Sequence, residues 1–296
     1  MISAGYIITA VSDYAKKTGV SDYLIGFLVV SIGTSLPELT TAVVASFTKT
    51  SQIVLGDIIG ANIIDVTVVL GITAIIGKKI FIHGKVLTKT IFTVMLMAFL
   101  PLIVGFDGKI SQLEGFLLVI AFFLYIYSLL KKEGQFGKIK KELEWKDIWQ
   151  DMVVISLSII ALLLSTHWLL LSANQIAIML EVPQFVMGLI LVAAGTTVPE
   201  LTVEVRSILK GATGLAFGDI LGSVVANSTL VLGVGAIINP IIFEKTRFIN
   251  SAFFMITSVY IALLFIKKKQ ITWQEGVGVL LLYVTFLITE GLSGFI

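Results

Sequence analysis

One stretch of this chain occurs twice. When the sequence is shifted by 162 positions, residues 20–71 align without a gap on residues 182–233, and 18 of the 52 aligned positions are identical. The identities include a Pro-Glu pair in "LPELT" and "VPELT" and a Gly-Asp pair in "GDIIG" and "GDILG". Shared hydrophobicity would produce matching Leu and Val residues but not these polar pairs. The chain therefore contains an internal duplication.

The two copies lie in a chain that is too apolar for a soluble domain. Hydrophobic residues make up 57% of the sequence and charged residues 14%, with a mean hydropathy of +1.02, whereas soluble domains carry about 25% charged residues. A helix needs about 20 mostly apolar residues to cross a membrane. Ten segments fit this pattern, namely 1–16, 22–47, 52–76, 87–104, 113–130, 149–179, 184–209, 214–238, 248–266 and 273–290. We expect an all-α integral membrane protein with ten transmembrane helices.

The ten segments divide into five and five. A polar linker at 131–147 separates a first repeat, 1–130, from a second, 148–296. Because each repeat crosses the membrane an odd number of times, the second must be inserted upside down relative to the first. Such inverted repeats are typical of secondary transporters. Under the same offset the first segment is shorter than the sixth. Either its helix begins upstream of the first residue, which we expect, or the chain lacks the outer part of this helix.

The positive charges predict the orientation. If both termini lie outside, 17 of the 21 Lys and Arg residues fall on the cytoplasmic side, including the six lysines of the 131–147 loop. Cytoplasmic loops carry an excess of positive charge, and the reverse orientation would invert this ratio. We expect a multi-pass protein of the cell membrane with both termini outside and the 131–147 loop in the cytoplasm.

The duplicated motif places a helix breaker inside an apolar segment. Pro37 and Pro199 lack the backbone N–H group and clash with the preceding turn. Each helix should break there and free carbonyl groups near 33–36 and 195–198. Free carbonyls at membrane depth are tolerated where they line a cavity. A single proline kink is equally compatible with a role in packing alone.

A glutamate follows each proline, and packing does not explain it. A carboxylate at the centre of a membrane helix costs about 2.5–3.5 kcal/mol on insertion scales, yet the chain places Glu38 and Glu200 at two related points. Calcium prefers about six to eight oxygen ligands from carboxylates and carbonyls. A broken "GTSLPE" supplies both kinds, and neighbouring hydroxyls come from Thr34, Ser35, Thr196 and Thr197. The motif therefore predicts a cation site.

The third and eighth segments carry further polar residues in apolar runs. Helical spacing places residues 57, 61 and 65 near one face of the third segment, and 219, 223 and 227 near one face of the eighth. Asp65 occupies the position that Asn227 occupies in the other copy. Asp57 and Asp219 could cap helix starts or line a vestibule, and both alternatives stay open.

Glu204 follows Glu200 by one helical turn. It could face the same pathway, but Arg206 and Lys210 lie nearby in sequence. We expect Glu204 to form a local ion pair at the cytoplasmic end of the segment.

The motifs resemble a known family. "GTSLPELTT" with "GDIIGANIIDV", and "GTTVPELTVEV" with "GDILGSVVANS", are similar to the two alpha-repeats of the calcium/cation antiporter superfamily, in its sodium/calcium exchanger branch of the prokaryotic type. The resemblance covers essentially the whole chain. It implies an ion site where the second, third, seventh and eighth segments meet, and it implies that the first and sixth segments slide across this core.

The resemblance also implies a set of ion ligands. Glu38 and Glu200 would bind Ca²⁺, and Asp65 and Asn227 would complete sodium sites. The remaining implied ligands are the backbone oxygens of Thr34 and Thr196 and the hydroxyls of Ser35, Thr197 and Ser223.

The sequence departs from the family pattern in three ways. Family members often carry Asn where this chain has Asp57 and Asp219, and Ala61 stands where a serine commonly lines an outer ion site. The acidic member of the Asp65/Asn227 pair can lie in the second repeat in relatives, but here it lies in the first. These departures leave room for a different ion preference.

Counting charges gives a hypothesis for coupling. Glu38, Asp65 and Glu200 offer up to three negative charges. Three Na⁺ would balance them, whereas one Ca²⁺ leaves one carboxylate over and favours protonation of Asp65. We expect a secondary antiporter that exchanges Na⁺ for Ca²⁺ and is not an enzyme. Its partners would be these transported ions and the lipid bilayer, with no cofactor and no nucleic acid, and a monomer is compatible with these features.

Four alternatives remain open. The antiporter could be coupled to H⁺ or depend on K⁺, or it could carry another divalent cation. A channel could use the same ligands, although inverted repeats favour alternating access. An intramembrane aspartyl protease is more remote. Such enzymes use two aspartates that share a proton, and "LGD" at 55–57 and "FGD" at 217–219 faintly match that pattern, but this chemistry gives no reason for Glu38 and Glu200.

Overall fold

The structure is a computed structural model that describes residues 22–82, 85–133 and 182–294, with a few positions between 168 and 179. The first and sixth predicted segments and the 131–147 linker lie almost entirely outside these described residues. The positions described between 168 and 179 are helical.

The described part of the first repeat consists of five helices and two short strands. The helices are α1 (residues 22–34), α2 (Leu36–Phe47), α3 (Ser51–Gly77), α4 (Lys85–Val104) and α5 (Gln112–Glu133), and the strands are β1 (Lys79–Phe81) and β2 (Lys109–Ile110). α1 contains a π-helical turn at Gly26–Val30, and α3 contains one at Asp65–Val69.

The described part of the second repeat has the same order of elements. Its helices are α6 (Gln184–Thr196), α7 (Val198–Leu209), α8 (Thr213–Ile238), α9 (Lys245–Lys268) and α10 (Trp273–Gly294), and its strands are β3 (Ile241–Ile242) and β4 (Gln270–Thr272). π-helical turns lie at Gly188–Val192 in α6 and at Ala226–Val231 in α8. All four π-helical turns therefore fall at positions that the 162-residue offset relates.

The strands join the two repeats at both ends of the helices. β1 pairs with β4 in antiparallel register, with Ile80 opposite Ile271. β2 pairs with β3 at the other end, with Lys109 opposite Ile242. The offset of 162 converts the first pair into the second, since 80 becomes 242 and 109 becomes 271. The two-fold relation inferred from sequence is thus visible in the strand register.

The helices of one repeat pack on those of the other. A Cβ atom added to Gly56 of α3 would collide with the carbonyl oxygen of Phe185 in α6. A Cβ added to Gly218 of α8 would collide in the same way with the carbonyl oxygen of Tyr23 in α1. Glycine allows the backbones to approach closely. These offset-related contacts build the centre of the molecule from helices of both repeats.

Two apolar clusters form the core, one at each end of the helix bundle. On α3 the first cluster includes residues between 53 and 63, and the second includes Val66, Leu70 and Ala74. On α8 the order is reversed, because residues 217–226 contribute to the second cluster and Val231 to the first. Asp65 and Asn227 lie where the two clusters meet. The apolar cores therefore enclose a buried polar band.

The predicted all-helical fold is confirmed. Each of the eight predicted segments that fall on described residues corresponds to one long helix or to one bent helix pair. Within the described ranges, four helices are long and apolar enough to cross a membrane, and up to six crossings are reached if each bent pair forms one span. The short strands were not predicted.

Candidate functional site

The two predicted helix breaks are present. α1 and α2 meet at an angle of 45°, and α6 and α7 meet at 42°. Pro37 and Pro199 lie in the first turn of the following helix. Because proline has no N–H group, the carbonyls of Gly33 and Gly195 lose the donor that a continuous helix would provide four residues later. Each break therefore leaves a backbone oxygen without its helical partner.

Glu38 and Glu200 stand in the first turn after each break. Both side chains are only 1% exposed. Within the described ranges, one oxygen of Glu38 and both oxygens of Glu200 have no hydrogen-bond partner, while the hydroxyl of Thr196 lies close to the Glu38 carboxylate. The two carboxylates are near enough for their charges to interact. The structure thus brings both predicted glutamates to one buried region.

Asp65 and Asn227 lie at the equivalent π-helical turns of α3 and α8. The turn that carries Asp65 contacts α7, the helix of Glu200, and the turn that carries Asn227 contacts α2, the helix of Glu38. Both side chains are 1% exposed, and Asp65 Oδ1 and Asn227 Oδ1 have no partner. Asp65 interacts electrostatically with Glu38. The four predicted side chains therefore belong to one set of interlocked helices.

The five predicted hydroxyl residues are buried around this region, with different partners. Ser35 Oγ and Ser223 Oγ have none, whereas Thr197 Oγ1 donates to the carbonyl of Ala193 at 2.7 Å. Thr34 and Thr196 donate to carboxylates of the opposite repeat, as described next. A hydroxyl that donates still has lone pairs for a cation, so none of the five is removed from the candidate set.

Asp57 and Asp219 contact the site and do not cap helices. Their helices begin six residues earlier, at Ser51 and Thr213, and their side chains are 1% and 0% exposed. The capping alternative is therefore wrong. Thr196 Oγ1 donates to Asp57 Oδ1 at 3.2 Å, and Thr34 Oγ1 donates to Asp219 Oδ1 at 3.0 Å. Asp57 therefore links α3 to α6, and Asp219 links α8 to α1.

Glu204 does not form the expected ion pair. Its side chain is fully buried, and neither carboxylate oxygen has a hydrogen-bond partner. Arg206 and Lys210 are exposed, so they point away from it. The prediction failed because helical geometry places residue 204 on the inner face of α7, one turn below Glu200. There its charge interacts with those of Asp219 and Asp65.

Six carboxyl groups consequently share this buried region: Glu38, Asp57, Asp65, Glu200, Glu204 and Asp219. Among the residues that the structure describes, no Lys, Arg or His is buried, so no basic side chain compensates them. In these same residues no three acidic side chains converge tightly enough to hold a metal ion by themselves. Bound cations or protons must neutralise this charge, and hydroxyl and carbonyl oxygens must complete any coordination.

Two features of the site were missed by the sequence reasoning. The π-helical turns in α3 and α8 were not predicted, although matched threonines mark them. Thr67 Oγ1 donates to the carbonyl of Ile63, and Thr229 Oγ1 donates to that of Val225 at 2.5 Å. A hydroxyl that bonds four residues back loosens the helical ladder, and π-helical turns are frequent at functional sites. Asn62, which contacts Asn227, was also missed.

Comparisons with known proteins identify the family of the chain. The sequence model described as "Sodium/calcium exchanger protein" matches residues 1–131 and 151–290. The sodium/calcium exchanger MaX1 of Methanosarcina acetivorans is 28% identical, and the match covers 96% of this chain and 93% of the relative. The inner membrane protein YrbG of Escherichia coli is 27% identical, with 94% and 89% covered.

A solved structure has the same fold. The sodium-calcium exchanger NCX_Mj, soaked with Na⁺ and Sr²⁺, superposes with a TM-score of 0.75 at 28% sequence identity, and the match covers 97% of this chain and 93% of the other. The family consists of membrane transporters, which excludes the protease alternative. The chain belongs to the sodium/calcium exchanger protein family, as a multi-pass membrane protein that is not an enzyme.

Proposed function

We propose that the chain exchanges Ca²⁺ for Na⁺ across the cell membrane by alternating access to one central site. The proposed ligands are the side chains of Glu38, Glu200, Asp65 and Asn227, the backbone oxygens of Thr34 and Thr196, and the hydroxyls of Ser35, Thr197 and Ser223. The observation that carries the proposal is the pair of buried glutamates, which stand beside broken helices and have no buried basic residue near them in the described part of the chain. Carboxylate and carbonyl oxygens are the ligands that hard cations require.

The central test removes one charge at a time. Removing one partner from a buried charge pair costs about 3–5 kcal/mol, and each 1.4 kcal/mol is a factor of about ten in affinity. Glu38→Gln and Glu200→Gln should therefore weaken Ca²⁺ binding by roughly a hundredfold or more in calorimetric titrations. Glu290→Gln is the matched control, because Glu290 is also buried but accepts a hydrogen bond from Ser251 in the contact between α9 and α10. Equal affinity in all three variants would remove the proposed site.

Coupling to sodium needs a separate test. Proteoliposomes loaded with Na⁺ should accumulate Ca²⁺ from a sodium-free medium, and dissipating the sodium gradient should stop the uptake. Calcium uptake that is independent of the sodium gradient but driven by a pH gradient would reject sodium coupling. It would not contradict the proposed central site.

A second candidate is a related antiporter that is coupled to H⁺ or depends on K⁺, or that carries another divalent cation. Asp57, Asp219 and Glu204 support it, because they add three buried carboxyls to the three on which the sodium count rested. Six carboxyls admit protons or additional cations beside three Na⁺, so charge balance alone no longer selects the stoichiometry. A matching requirement for K⁺ or a proton gradient in the same vesicles would favour this candidate.

The arrangement in the membrane is part of the proposal. We place both termini outside, the 131–147 loop in the cytoplasm, and the two repeats at 1–130 and 148–296. The distribution of Lys and Arg supports the orientation. The break between the two stretches that the family model matches supports the linker. The sliding of the first and sixth segments rests on the family resemblance.

A further inference from the structure

A buried hydrogen-bonded network contacts Asn227, one of the proposed ligands. Asn62 of α3 is fully buried, and its Nδ2 donates to Ser228 Oγ at 2.9 Å and to Met255 Sδ at 3.5 Å. Its Oδ1 accepts a hydrogen bond from Asn227 Nδ2 at 3.3 Å. The offset of 162 places Val224 at the position of Asn62 and Val66 at that of Ser228. The network therefore has no copy beside Asp65.

Met255 determines the orientation of this network. A thioether sulfur carries no hydrogen and can only accept, so the amide nitrogen of Asn62, and not its oxygen, must face it. The oxygen of Asn62 then faces Asn227 and requires a donor there. Asn227 must offer its nitrogen to Asn62, which turns its own oxygen to the opposite side of the amide. That oxygen is buried and has no hydrogen-bond partner among the residues that the structure describes.

We infer that Asn62 is a positioning residue, which holds the amide of Asn227 so that its oxygen, and not its NH₂ group, is presented to the transported cation. The inference rests on the proposed function, because it assumes that Asn227 is a ligand. It also accounts for the asymmetry of the network. Asp65, the counterpart of Asn227, has two equivalent carboxylate oxygens and presents an oxygen in either orientation.

The test compares Asn62→Leu in two backgrounds, the natural chain and the Asn227→Asp variant. In the natural chain, Asn62→Leu should weaken binding of Ca²⁺ and Na⁺ about ten- to hundredfold, the range that loss of an outer-shell partner usually costs a metal site. In the Asn227→Asp background, the same change should cause no loss, because an aspartate needs no orientation. Affinities come from cation-dependent shifts in the melting temperature of the purified full chain, a readout that does not depend on coupling.

Met255→Leu provides a second variant if Asn62→Leu fails to fold. It removes the acceptor that orients Asn62 at similar side-chain volume, so it should weaken cation binding in the natural chain and not in the Asn227→Asp background. Ser258→Ala, a buried hydroxyl deletion one turn along α9, is the control and should leave both affinities unchanged.

The outcomes separate the inference from the proposed function. Equal loss in both backgrounds would mean that Asn62 only maintains the structure, and no loss in the natural chain would mean that it positions nothing. Either result overturns the inference alone. A wild-type protein whose melting temperature responds to neither cation would overturn the proposed cation site, and the inference with it.

Discussion

At the scale of the residue, the site gathers negative charge that no buried basic side chain balances in the part of the chain that the structure describes. Asp57 and Asp219 matter most here, because family members often carry Asn at these positions. Their carboxylates accept hydrogen bonds from Thr196 and Thr34, and an Asn side-chain oxygen could accept the same bonds. The structural contact therefore does not require the charge. What the charge adds is competition between protons and metal ions for the buried region.

This leads to a prediction about pH. Protons compete with Ca²⁺ for carboxylates, so binding should strengthen as pH rises, and each additional carboxylate makes this dependence steeper. The double variant Asp57→Asn, Asp219→Asn should keep its melting temperature without calcium and show a shallower change in Ca²⁺ affinity between mildly acidic and mildly alkaline pH. Calcium titrations by calorimetry at several pH values measure this. The control is Asp107→Asn, which lies in the exposed turn before β2. The prediction would be contradicted if Ca²⁺ affinity changed with pH as steeply in the double variant as in the wild type.

At the scale of the element, the breaks between α1 and α2 and between α6 and α7 have two consequences. They free one carbonyl each, and they place a glutamate in the first turn of a new helix. The amides of a first turn have no intrahelical acceptors, and the helix dipole favours negative charge there. Each break therefore makes a buried carboxylate less costly and adds a carbonyl oxygen beside it.

Restoring the missing donor should remove this advantage. In Pro37→Ala and Pro199→Ala, the new N–H can bond to the carbonyl of Gly33 or Gly195 and straighten the helix. We expect exchange to fall by more than about tenfold while the melting temperature stays equal or rises, since the new N–H adds a backbone hydrogen bond that proline cannot make. Initial rates of calcium uptake into proteoliposomes measure the first effect.

Pro101→Ala is the matched control, because Pro101 is a buried proline inside α4, a helix that carries none of the proposed ligands. Full activity in Pro37→Ala and Pro199→Ala would show that the breaks are packing features, which is the alternative that the sequence left open.

At the scale of the whole molecule, the two strand pairs place each loop on a defined side. β1 and β4 join the loops after α3 and α9, and β2 and β3 join the loops after α4 and α8. The contacts therefore bring together loops that the positive-inside rule assigns to one side. The pairing does not say which side is cytoplasmic.

The orientation can be measured directly, because the natural sequence has no cysteine. We expect Asp107→Cys to react with a membrane-impermeant maleimide in intact cells, whereas Lys267→Cys should react only after permeabilisation. Both positions are exposed in the structure, so a difference reports sidedness and not burial. The reverse pattern would invert the proposed topology.

The sequence predicted the helices and the breaks well, because these depend on local properties. Long apolar runs predict the helices, and Pro37 and Pro199 predict the breaks, whatever the tertiary neighbours of these segments are. The wrong prediction for Glu204 and the alternatives left open for Asp57 have another origin. Their roles depend on which helix of the opposite repeat packs against them, and a carboxylate near a helix end in sequence was interpreted without that neighbour.

Asn62 shows the same limit more clearly. In the sequence it is one amide in an apolar run, with nothing to distinguish it from a polar residue used in packing. Its partners are Ser228 and Met255, which lie more than 160 positions away. The identical Thr67 and Thr229 did offer a local signal for the π-helical turns, since a duplicated threonine in a membrane helix can bond to its own backbone.

The packing of helices from one repeat on helices of the other has a consequence for biogenesis. While the ribosome is still making the second repeat, α1 and α3 are already in the lipid, and the surfaces around Tyr23 and Gly56 await α8 and α6. Assembly of the centre must therefore wait until α6 and α8 have been synthesised. A nascent protein stalled after α5 would hold its acidic residues in the bilayer without their eventual neighbours, and cellular quality control could recognise it by that exposure.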